Sequence, residues 1–130
     1  MRYMLLIYTK ETAEAEASPE QRQAVIEGHR AAIGEATRRG ILRGAEPLEP
    51  TPAATTLRVQ GGTTVISDGP FAETKEQLAG YYILDCGNLD EAIEMARKIP
   101  TACGGDHGCI EIRPIRQMSD PCAQVAVREL

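Results

Sequence analysis

Two residues carry most of the chemical interest in this sequence, His29 and Asp68. His29 follows Val25 by four positions and precedes Ile33 by four, which puts it on the apolar stripe of a helix. An imidazole titrates near neutral pH and suits a general base; the structural alternative is a half-buried ring bonded to a backbone carbonyl. Asp68 opens the run Asp-Gly-Pro-Phe and has the chemistry to orient such a base. An aspartate also favours turns for purely local reasons, because its carboxylate bonds amides about two residues on.

Around this pair stand candidates for binding a small molecule. Phe71, the single phenylalanine, follows Pro70, which stiffens the turn and fixes the direction of the ring. It reads either as a plug at the sheet's end or dimer seam, or as a ligand contact. Glu73 and Lys75 alternate after it, and Lys75 suits an anionic group, although alternating charges also serve as a solvated face. Tyr81 and Tyr82 point to opposite faces of one strand; one belongs to the core and the other to a seam or cleft, and Tyr82 is taken as the ligand contact. The expected site is therefore His29 and Asp68 as acid–base groups, with Phe71, Glu73, Lys75 and Tyr82 binding substrate.

No metal or other cofactor is expected. "CGGDHGC" offers Cys103, His107 and Cys109 within seven residues, short of the four ligands of a structural zinc site, and reads as a glycine-rich loop with an exposed His107. It neither follows a strand nor opens a helix, so it is no phosphate cradle. The four cysteines are expected to be reduced thiols.

Those side chains need elements to position them. Residues 3–8, YMLLIY, form an apolar run that suits a strand covered on both faces. Ser18, Pro19 and Gln21 together announce a helix start, and Gly40 its stop, so a helix is predicted to about residue 39. A strand into a proline-punctuated bend follows. Two β-prone runs about Gly61-Gly62 then predict a hairpin with a primed turn. GYYILDC is a further strand, Asn88 caps a helix ended by Pro100, and CIEIRPI is a last strand. The order is that of a ferredoxin-like βαββαβ α+β fold with an inserted hairpin. Its two helices cover one sheet face, and the other is expected to meet a second copy in a homodimer. The domain is assigned to residues 1–116, and 117–130 to a C-terminal arm or flexible tail.

The bulk figures agree. A chain of 130 residues, 42% hydrophobic and 25% charged, suits one soluble domain. A net charge of −5 argues against direct nucleic-acid binding. No apolar run reaches the ~18 residues that would span a bilayer, and the start lacks a cleavage site, so a cytoplasmic protein without membrane contact is expected.

The start RYMLLIY, His29-Arg30, TTLRV, SDGPFAETKEQLAGYYILDC, LDEAIEMARKIP and IEIRPI together resemble the YCII-related superfamily, specifically its DGPF-domain branch. The resemblance implies a dimeric α+β barrel of ferredoxin-like halves and, in the wider superfamily, a His-Asp acid–base centre in a cleft. Some relatives carry Asp-Pro near the end of the second helix; here the pair is Ile99-Pro100, so Asp68 is the substitute acid. The expected function is metal-independent His/Asp chemistry, of lyase or isomerase type, on a small aromatic or carbonyl compound. The alternative is a non-catalytic ligand-binding or regulatory interaction module linked to sigma-factor transcription control.

Overall fold

The computed structural model describes residues 1–101 and 107–118. The core is a four-stranded antiparallel sheet of β1 (Arg2–Thr9), β2 (Leu42–Pro47), β5 (Gln77–Asp85) and β6 (Cys109–Pro114), in the order β2-β5-β1-β6. Between β1 and β2 lie a short helix α1 (Glu11–Ala15) and a long helix α2 (Pro19–Arg38), and α3 (Leu89–Ala96) joins β5 to β6. Without the hairpin, each helix joins an edge strand to a central one with a strand of opposite sense between them, which is the ferredoxin-like arrangement expected.

The start of α2 follows its sequence signal closely. Ser18 Oγ accepts from Gln21 N at 3.1 Å, and Gln21 Oε1 accepts from Ser18 N at 2.8 Å, a complete capping box. Asn88 Oδ1 caps α3 by accepting from Glu91 N at 2.9 Å. Strand parity sets the core. Tyr3, Leu5 and Ile7 alternate inward on β1, opposite Tyr82 and Leu84 of β5, and meet Ala32 and Ala36 of α2 and Ala92, Met95 and Ile99 around α3. Met4, Leu6, Tyr81 and Ile83 occupy the other face and are only half-buried.

The inserted strands β3 (Thr55–Gln60) and β4 (Thr63–Asp68) form a separate two-stranded sheet. Gly61 and Gly62 both have positive φ, 56° and 78°, the conformation that the primed turn demands and that glycine adopts without penalty. Leu57, Val59 and Ile66 on this hairpin are 61–70% exposed.

Helix α1 was not expected; its five residues are too few for a periodic signal. His107 also differs from its expectation, being half-buried with Nδ1 shielded from solvent and unpartnered among the described residues. The cause is its neighbour: the Gly108 amide donates to the Glu76 carboxylate, and the glycine lies against the carbonyls of Tyr8 and Thr101. Cys103 and Cys122, and residues 119–130 of the expected arm, lie outside the described residues. Cys86 and Cys109 are free thiols.

Candidate functional site

Helix α2 does not lie evenly on the sheet. Near its C-terminus the small side chains of Ala32 and Ala36 are buried in the core shared with β1 and β5. Toward its N-terminus it carries Val25, Ile26 and His29, and beneath them is a cavity of about 580 Å³. The apolar stripe of α2 is therefore core in one half and cavity wall in the other. Ile26, at 50% exposed, belongs to the second half.

The floor comes from the sheet: Ile7 and Thr9 at the end of β1, and Leu78, Gly80 and Tyr82 on β5. A register shift between β1 and β5 falls at Ile7/Tyr8, beside this floor. Pro47 to Pro50 close one side, and Pro100 and Thr101 another. Helix α1 supplies the remaining wall through Glu11 and Glu14. It is tied in place through Glu11. The Glu11 carboxylate accepts from Thr51 N at 2.8 Å and Thr51 Oγ1 at 2.7 Å, and Glu11 N donates to Gln77 Oε1 at 3.0 Å.

Within this cavity His29 Nδ1 and the Tyr82 hydroxyl lie 2.7 Å apart, with ring centroids 5.9 Å apart and planes tilted by 31°. The contact joins α2 to β5 across 53 positions of sequence. Burial pushes the His29 pKa below its ordinary value of 6.5 and holds the ring neutral at pH 7. Burial also pushes the Tyr82 phenol up, to about 12, so it keeps its proton. Two neutral groups at hydrogen-bond distance can bond in either direction, set by the His29 tautomer. If Nδ1–H donates to the phenol oxygen, His29 Nε2 carries a free lone pair and the Tyr82 O–H is free to donate elsewhere.

The other expected site residues lie apart from this pair. Asp68 ends β4 and is exposed, and it does not line the cavity. Within one chain the partner of His29 is thus a phenol, not the expected carboxylate. Nor does Asp68 make the expected bond to an amide two residues on: that residue is Pro70, which has no N–H. The turn is held through the Gly69 backbone instead, with Gly69 N donating to Ala54 O at 2.7 Å and the Thr56 hydroxyl donating to Gly69 O at 2.8 Å. Phe71 is 73% exposed within one chain and does not line the cavity; it is held by its carbonyl, which accepts from Arg58 Nη2 at 2.7 Å. Glu73 and Lys75 are exposed beside it and do not line the cavity. Only His29 and Tyr82 of the six residues are brought together.

The reading from sequence missed Glu11, Glu14 and Thr51. A glutamate has no signature for this role, since its partner begins a single 3-10 turn 40 positions away. Tyr82 was reachable: it shares strand parity with Leu84, which sets it on the helix-facing side where the His29 stripe also points.

The YCII-related domain model matches residues 1–119. An uncharacterized protein of Rhizobium meliloti (strain 1021) is 41% identical over 115 residues, covering 88% of this chain and 92% of its own.

Proposed function

Because the chain belongs to the YCII-related family, we propose that it holds a small, largely apolar carbonyl or aromatic compound in the α2–sheet cavity and moves a proton on it. The carrying observation is the 2.7 Å contact of His29 with Tyr82 on the wall of a 580 Å³ cavity. His29 Nε2 is the base. It takes a proton from carbon next to the carbonyl while the Tyr82 O–H donates to the carbonyl oxygen, where negative charge develops. Nδ1–H, bonded to the phenol oxygen, holds the tautomer that leaves Nε2 free. The proton returns from Nε2 to the product, and the protein ends as it began. The run Asp68 to Phe71 favours the DGPF branch.

The working form in this reading is a cytoplasmic homodimer. Its support is the half-buried apolar sheet face of Met4, Leu6, Tyr81 and Ile83, which needs cover.

Solvent exchange tests the chemistry before any substrate is identified. Small ketones and hydroxyaromatics are incubated in D2O with the protein, and deuterium uptake at carbon is read by NMR. Catalysed uptake that His29→Ala removes, with the fold intact, supports the reading. Binding with no uptake across the panel makes the protein a ligand-binding module.

A further inference from the structure

Among the buried described residues, Thr9 alone is neither apolar nor aromatic; it is 9% exposed. It continues the inward set Tyr3, Leu5 and Ile7 of β1 and lines the cavity floor. Its hydroxyl makes no hydrogen bond among the described residues, yet it is not one of the atoms sealed from solvent. Solvent reaches it from the cavity, since strand parity turns this side chain to the helix-facing side. The polar groups nearby are engaged elsewhere. Gln77, opposite Thr9 on β5, accepts through Oε1 from Glu11 N at 3.0 Å and donates through Nε2 to Thr74 O at 2.6 Å. The Glu11 carboxylate is held by Thr51. A nine-tenths-buried hydroxyl left unpaired costs stability that a valine of the same shape would not.

We infer that Thr9 is a second binding contact of this cavity, pairing with a hydroxyl at the far end of a ligand whose carbonyl lies at His29 and Tyr82. The inference rests on the reading of the cavity as the site of a carbonyl compound. It narrows that compound to an elongated, uncharged hydroxy ketone. The length follows from the ladder. Tyr82 lies opposite Leu5 and Thr9 opposite Gln77, so Thr9 stands four positions along β1 from the residue facing Tyr82, roughly 13 Å of strand. Two hydrogen bonds take up part of that span, which leaves about one or two fused rings between the ligand's oxygens. Ile7, Leu78 and Gly80 floor the cavity and suit an apolar body.

Two matched pairs of ketones decide it: acetophenone with its para-hydroxy derivative, and 2-acetylnaphthalene with its 6-hydroxy derivative. Each is titrated at about pH 6.5, where the phenols keep their protons, and followed by amide NMR shifts of Val25, Leu78 and Gly80. In at least one pair the hydroxylated member is expected to bind about three- to tenfold more tightly than its parent. In Thr9→Val that advantage shrinks to within about twofold while the parent keeps its affinity; Thr9→Ser, which retains the hydroxyl, preserves most of it. Thr9→Val should also unfold at the same urea concentration as the native chain or a higher one, since it removes an unpaired polar group. A lower midpoint would mean that the fold itself uses the hydroxyl, and overturns the inference. Equal binding within both pairs, or an advantage that survives Thr9→Val, overturns it too and leaves the cavity reading standing. If none of the four compounds shifts these amides at millimolar concentration, the cavity reading fails and the Thr9 contact falls with it.

Discussion

The sheet under α2 and the hairpin β3–β4 are built on opposite plans. On the helix-facing side of the sheet, large apolar residues are covered: Leu5 and Leu84 are fully buried, and the Tyr82 hydroxyl is paired with His29 across elements. On the hairpin, large apolar residues are exposed: Leu57, Val59 and Ile66, with Phe71 just beyond. The most distinctive stretch of the sequence, Asp-Gly-Pro-Phe, belongs to the second region, whereas the cavity belongs to the first. A conspicuous motif therefore marks a family without marking its pocket. A lone two-stranded ribbon is marginal in water, so the hairpin's order comes from its turn, its ladder and whatever covers it, not from the core.

Hydrogen exchange gives the widest contrast. Amides of β1 and β5 should exchange only through global opening, typically about 5–15 kcal/mol for a domain, and those of β3 and β4 through local opening several kcal/mol lower. Equal protection would break the contrast and show the hairpin clasped by a second copy. Next, His29→Ala should lower catalysed deuterium uptake by about 10²–10⁴-fold, while Phe71→Ala leaves it unchanged. A loss at Phe71 would bring the hairpin into the site.

Stability comes third. Leu84→Ala should cost about 2–5 kcal/mol in urea unfolding, against about 0.5 kcal/mol or less for Leu57→Ala. The smallest effect is on pH dependence. His29 has a lowered pKa in the folded state, so below 6.5 the unfolded chain binds its proton first. The stability contributed by neutral His29 is present above 6.5 and is lost as pH falls from there toward the lower folded value. His29→Gln should flatten that slope. For Tyr82 the sign is the opposite, stability being lost as pH rises from 10 toward about 12; ultraviolet titration should find one tyrosine ionising in that upper range.

The fold was legible because its signals are local. Ser18, Pro19 and Gln21 start α2, Gly61-Gly62 turns the hairpin, and Asn88 caps α3, each within four residues of its effect. The site was legible by half. His29 showed itself by its place on an apolar stripe, but its partner depends on how α2 lies across β5, and no local pattern encodes that. Family resemblance pointed to an acid, and strand parity would have pointed to Tyr82. The cavity itself was hidden because Val25 and Ile26 look the same over a core as over a void.

One contact gives an experimenter control over the central distance. Gly28 precedes His29, and a β carbon there would come within 2.9 Å of Pro100 Cγ. A side chain at position 28 acts as a spacer between helix and proline. Alanine inserts one carbon and serine one atom more, each lifting the turn that bears His29 without altering either partner of the 2.7 Å bond. The series is a molecular ruler: the Nδ1 shift in ¹⁵N NMR reads the bond length, and deuterium uptake reads what that length is worth.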